Sequence, residues 1–170
     1  MVQPPRIAAP NVAQQPSRCS CTKGLMDSGR DYAKSAMELE RAIMDAAKGS
    51  MDNNNNAEAR RVLGIADQAR NLQYDMAMPV NSTPGALQDQ YRKISDFHKS
   101  LDDQFLRYPK SVQNRIGTAR DNSANQLENL MREMRFMQED GIGQPDVLKA
   151  ASRGMRSALG DPQSTLCKNT

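Results

Sequence analysis

Residues 83–105, TPGALQDQYRKISDFHKSLDDQF, carry the clearest periodic pattern in the chain and decide its fold class. Large side chains recur there at alternating intervals of four and three residues: Leu87, Tyr91, Ile94, His98, Leu101 and Phe105. This spacing places them on one side of an α-helix. Thr83 is a good N-cap, and Pro84 suits the first helical position because its missing N–H has no intrahelical partner there. The segment therefore predicts an amphipathic helix with a narrow apolar seam.

Segments on both sides of this one show similar spacing. They are predicted to form helices over residues 27–49, 57–78, 111–140 and 145–160. Gly49, Pro79 and Gly141 mark three of the helix ends, because glycine favours the left-handed position after a helix and proline cannot continue one. No alternating pattern typical of β-strands competes. The sequence thus predicts an all-α fold, an antiparallel bundle of four to five helices crossing at about 20° with coiled-coil-like seams.

The two ends of the chain differ in composition from its centre. Residues 1–23 contain four prolines among glutamine, asparagine and alanine, and this composition opposes helix formation. They are predicted to form an extended arm, followed by a helical bundle over residues 24–160. Residues 161–170, DPQSTLCKNT, are predicted to form a C-terminal tail. We therefore expect one helical domain with extended N- and C-terminal arms.

Charge is distributed unevenly along the chain, whose formal net charge is +3. Arg6, Arg18 and Lys23 lie in the first 26 residues, which contain no acidic residue. The rest of the chain has equal numbers of acidic and basic residues. This balance of charge outside the first 26 residues argues against a dedicated duplex-binding domain, which would carry a basic face. The basic N-terminal arm remains a candidate for weak electrostatic binding of nucleic acid.

Residue types that support catalysis or metal binding are scarce. His98 is the one histidine, and no glycine-rich phosphate-binding loop or serine nucleophile motif occurs. Cys19 and Cys21 form a C-x-C pair, and Cys167 stands alone, so the second pair of ligands of a zinc site is missing. We therefore predict no catalytic residue, no cofactor and no metal site, and interpret the chain as not an enzyme.

The chain contains 11 methionines, an unusual number for its length. Flexible thioethers fill irregular gaps in cores and also suit surfaces that repack against partners. The candidate partner-binding residues lie in the second half of the fourth helix: Leu127, Met131, Met134, Phe136 and Met137. The spacing assigns Leu127, Met134 and Met137 to the intramolecular side and places Met131 and Phe136 on other faces. We predict that this half of the helix is the main contact surface.

The fifth helix carries a basic stripe opposite its apolar side. Lys149, Arg153 and Arg156 follow one another at intervals of four and three residues. A stripe of this kind can meet an acidic partner helix, a phosphate backbone or a membrane surface, or it can be a solvated face.

These observations favour a non-enzymatic structural or assembly subunit of a homo- or hetero-oligomeric complex, such as an internal or connector-associated component of a bacteriophage virion. An alternative is a chaperone-like or regulatory adaptor that binds a partner helix in a Met-rich groove. A third is a weak nucleic-acid binder that uses the basic arm. No segment approaches the roughly 20 apolar residues of a membrane span, and the N-terminus lacks the apolar run of a Sec signal. We expect an intracellular or virion location without Sec-dependent secretion.

Overall fold

The computed structural model describes residues 8–77 and 83–160, and side chains from residue 22 onward. These residues form five α-helices and no β-strand: α1 (Ala8–Asp52), α2 (Asn56–Met76), α3 (Pro84–Phe105), α4 (Lys110–Glu139) and α5 (Gln144–Ala158). The predicted all-α bundle of four to five helices is confirmed.

The central helix of the bundle is α1, which packs against α2, α4 and α5. Its buried apolar residues surround much of the helix rather than forming one stripe: Leu25, Met26, Tyr32, Ala33, Ala36, Leu39, Ile43, Ala46 and Ala47. Small alanine side chains on several sides let three neighbours approach the same helix. The hydrophobic core is therefore arranged along and around α1.

Two of these neighbours run antiparallel to α1. Glu58, at the start of α2, accepts a hydrogen bond from Ser50 of α1. Gln73, near the end of α2, donates to Glu40, earlier in α1, at 2.8 Å, so the two helices run in opposite directions. The guanidinium of Arg115, near the start of α4, lies beside Gly49, and Arg115 donates to the Asp45 carbonyl at 3.4 Å. The beginning of α4 therefore packs against the end of α1.

Backbones meet directly where α5 crosses α1. Gly29 faces the carbonyl of Ala151, and Gly154 faces the carbonyl of Met26. Both glycines are buried, and neither position has space for a methyl group. This crossing places Val147, Ala151 and Met155 in the core, where each is fully buried.

The start of the first helix differs from the prediction. Residues 8–23, predicted as part of the extended arm, are helical, and α1 begins at Ala8 rather than near Asp27. Pro10 lies in the first turn, where an N–H has no intrahelical acceptor. Adding residues to an existing helix avoids the cost of nucleation, so Ala- and Gln-rich residues extend α1 in spite of Pro16. Residues 1–7 and the predicted tail at 161–170 lie outside the described residues.

The turn between α1 and α2 is also shorter than the sequence indicates. Gly49 does not end the first helix, which continues to Asp52. Asn54 takes the left-handed conformation instead, with φ of 60°, which asparagine tolerates better than most residues. Asn55 then caps α2 by accepting a hydrogen bond from the Glu58 N–H at 3.3 Å.

Candidate functional site

A polar pair lies between α1 and α3 in the core. The hydroxyl oxygen of Tyr32 is 2.7 Å from His98 Nε2, and the Phe97 ring meets the imidazole edge-on at 5.2 Å between centroids. Burial lowers the pKa of His98 from 6.5 to about 4, while the charge of Asp102 acts in the opposite sense. Burial also raises the pKa of Tyr32. Both groups are therefore neutral at pH 7, and the pair joins α1 to α3.

Further polar atoms lie buried in the described part of the bundle without a hydrogen-bond partner. They are Gln90 Oε1, Tyr91 Oη, Ser123 Oγ and Ser152 Oγ. The amide nitrogen of Gln90 donates to the Asp75 carbonyl at 2.6 Å. Burial raises the pKa of Tyr91, as it does that of Tyr32. These groups are spread over α3, α4 and α5 and do not supply a charged acid or base at neutral pH.

A shallow groove of about 320 Å³ lies between α2 and α3. Its lining residues are Gln68, Asn71, Leu72, Asp75, Lys93, Asp96, Phe97 and Ser100. The Lys93 ammonium lies 3.7 Å from the Asp75 carboxylate across it. No methionine lines this groove, so it differs from the Met-rich groove that an adaptor would need.

The predicted contact residues of α4 divide between its two sides. Leu127 is buried, and Met134 and Met137 are partly buried against the core. Met131 is 40% exposed and Phe136 is 50% exposed. The assignment of faces made from the spacing is confirmed, while partner binding by these residues stays a prediction.

The three side chains of the basic stripe of α5 differ in their exposure to solvent. Arg153 is exposed, and Lys149 is half-buried. Arg156 is also half-buried and donates to the Ala77 carbonyl at the end of α2, at 3.4 Å. Arg156 thus connects α5 to α2 and contributes less to an outward-facing basic surface than the sequence indicates.

One exposed surface, which the sequence pattern does not indicate, lies at the α3–α4 turn. We call Arg61, Leu106, Arg107 and Lys110 the basic turn surface. Leu106 is 81% exposed, and all three cations are exposed. Arg61 donates to the Arg107 carbonyl at 3.3 Å, and its guanidinium lies 5.5 Å from the centre of the Tyr108 ring. Because Arg61 lies on α2, sequence spacing gives no signal that it joins this turn.

A second exposed surface lies at the other end of α4. We call Phe136, Glu139, Asp140 and Asp146 the acidic turn surface, and all four are exposed. Glu139 and Asp140 follow Phe136 by three and four residues, so both carboxylates flank the ring on one face. The sequence FMQED contains this signal, since the two acidic residues follow Phe136 at helical spacing.

No group of three or more His, Cys, Asp or Glu residues in the described region is placed to hold a metal ion. The side chains of Cys19, Cys21 and Cys167 lie outside the described region. Replacing all three by serine is expected to leave the melting temperature unchanged, with no zinc in either protein by elemental analysis. A stoichiometric metal in the parent, or a lower melting temperature of the variant, would contradict the prediction of unliganded thiols.

No protein-family model, curated protein or solved structure matches the chain. None of the described helices combines the length and apolarity needed to cross a bilayer.

Proposed function

We propose that the chain is a non-enzymatic structural or assembly subunit that packs into a larger homo- or hetero-oligomeric complex. The observation that carries this proposal is the exposure of Phe136 on the outer side of α4. Phe136 follows Met134 by two residues and so lies about 200° further around the helix axis. Burial of such a ring against a partner contributes about 1.5 to 3 kcal/mol, whereas its present position contributes little to the fold.

The length of α1 supports the same proposal. Gly24 of α1 lies opposite Glu133 of α4. Beyond this point α4 ends at Glu139, whereas α1, which runs in the opposite direction, extends to Ala8. At about 1.5 Å per residue, α1 extends roughly 15 Å beyond the end of α4. A helix that extends past its own bundle can pack along a neighbouring subunit. We propose a bacteriophage virion as the setting, with the chain as an internal or connector-associated component.

Two other functions have weaker support. An adaptor would bind a partner helix in a Met-rich groove, and no methionine lines the groove between α2 and α3. A nucleic-acid binder would use the basic arm together with the basic stripe of α5, in which Arg156 already contacts the Ala77 carbonyl. The exposed apolar side chain on α4 fits packing into a larger complex better than it fits either alternative.

The double variant Met131→Ala/Phe136→Ala tests the assembly role. We expect its self-association to weaken by a few kcal/mol, because two exposed apolar side chains lose their contacts with a partner. Its helical circular dichroism should persist, since alanine is the better helix former. Sedimentation velocity of parent and variant at matched concentrations measures the effect. A parent that stays a compact monomer would favour the adaptor, and an unfolded variant would show that these side chains belong to the core.

A further inference from the structure

The two ends of α4 carry opposite charge, and each end exposes one large apolar side chain. At the start of α4, the basic turn surface places Arg61, Arg107 and Lys110 around Leu106. None of these three cations forms an ion pair with another described residue, although ion pairs occur elsewhere in the bundle.

The acidic turn surface, at the end of α4, has the complementary composition. Glu139 and Asp140 are exposed one turn beyond Phe136, and Asp146 is exposed in the first turn of α5. None of the three forms an ion pair with another described residue. With 30 residues in α4, the two surfaces are separated by about 45 Å. One chain therefore cannot bring them together, whereas two chains can.

The charges at the ends of α4 also have the unfavourable sign for the helix itself. The N-terminal end of a helix carries partial positive charge and the C-terminal end partial negative charge. Lys110 is the first residue of α4 and Glu139 the last, with no acid in the first turn and no base in the last. These side chains add to the helix dipole instead of offsetting it. Contact between the end of one α4 and the start of another would bring the opposite charges together.

We propose that the chain associates head to tail with a second copy of itself, the acidic turn surface of one copy meeting the basic turn surface of the next. The contact pairs three carboxylates with three cations and packs Phe136 against Leu106. Because the two surfaces differ, the interface is heterologous and repeats into a ring or a filament. This inference rests on the proposed assembly role and specifies its interface.

A second copy accounts for both surfaces, and a nucleic acid accounts for only one. A phosphate backbone could contact Arg61, Arg107 and Lys110, but it would be repelled by the carboxylates beside Phe136. It would also leave the Phe136 ring exposed. Charge complementarity within one chain thus favours self-association.

Charge reversal at each end, followed by mixing, tests the proposal. Arg107→Glu/Lys110→Glu reverses the basic surface, and Glu139→Lys/Asp140→Lys reverses the acidic one. Sedimentation velocity at low salt should show at least tenfold weaker self-association for each variant alone, because like charges then face each other. An equimolar mixture should associate again, since each variant keeps one unaltered surface that fits the other's. The control Lys34→Glu/Arg41→Glu makes the same change of net charge as the basic-surface variant, on exposed positions of α1, and should associate like the parent.

Single substitutions separate the end of α4 from its side. Phe136→Ala should weaken association more than Met131→Ala does, because Met131 lies outside both turn surfaces. If the parent oligomerises and both charge-reversed variants match it, the head-to-tail contact is wrong while the assembly role stands. If the mixture fails to associate, the two surfaces do not meet each other. A parent that remains monomeric at low salt overturns the head-to-tail contact, and the assembly role then requires a different protein as partner. Duplex DNA binding lost only on reversal of the basic surface would assign that surface to nucleic acid.

Discussion

Replacing Gly154 by alanine is expected to prevent stable packing of α5 on α1. A Cβ atom at this position would overlap the Met26 carbonyl oxygen and lie 2.7 Å from its carbonyl carbon. The opposing atoms are backbone atoms of a helix, so they cannot move aside as a flexible side chain could. The two helices must separate, which exposes core residues of α5 such as Val147 and Met155.

The expected loss of stability is large. Overpacking costs about 1 to 3 kcal/mol or more, and each core side chain that loses its burial adds about 1.5 to 3 kcal/mol. The total approaches the whole stability of a typical domain of about 5 to 15 kcal/mol. Thermal unfolding followed by circular dichroism should show a melting temperature lowered by about 10 °C or more, or no cooperative transition.

Gly64 provides the matched control. It lies inside α2, is exposed, and has no heavy atom within 4 Å of a Cβ placed there. Gly64→Ala should therefore stabilise the protein by about 0.5 to 1 kcal/mol, the usual gain in helix propensity. Gly29→Ala should behave like Gly154→Ala, because its Cβ would meet the Ala151 carbonyl. Equal melting temperatures for Gly154→Ala and the parent would mean that α5 does not cross α1 this closely.

Stability is expected to fall as the pH is lowered from 7 to 4, with a substantial contribution from His98. In the unfolded chain His98 has the ordinary pKa of 6.5, whereas burial lowers it to about 4 in the fold. Between these values the unfolded state binds more protons, so the free energy of unfolding rises with pH and is lost as the pH falls. The expected loss is about 2 kcal/mol between pH 7 and pH 5. Protonation would also place a charge beside the Tyr32 hydroxyl in the core.

The variant His98→Gln isolates this contribution. Glutamine keeps a hydrogen-bonding group near Tyr32 but does not titrate, and carboxylate groups act in both proteins. Urea unfolding of parent and variant at pH 7 and pH 5 measures the difference. The parent should lose about 2 kcal/mol more than the variant on acidification. Equal losses would show that His98 is protonated with the same pKa in both states.

Much of the fold could be predicted from periodicity and capping residues. The bounds of α3 follow from Thr83, Pro84 and the seam that ends at Phe105, and the Thr83 side chain does accept the Ala86 N–H at 3.2 Å. The side of α4 that carries Leu127 was also predictable, and so was the outward position of Phe136. The start of α1 was not, because prolines in residues 1–23 oppose helix formation locally, whereas extension depends on a helix already formed.

The sequence alone determined where most of the helices lie and which side of each is apolar, because both depend on residues three and four positions apart. Only the tertiary structure decided which helices meet and where. Tyr32 and His98 are 66 residues apart in the chain, and Arg61 reaches Arg107 from another helix. Gly154 is an unremarkable helical glycine in sequence, yet the Met26 backbone lies against it. Such contacts depend on how closely two backbones approach, which local spacing does not encode.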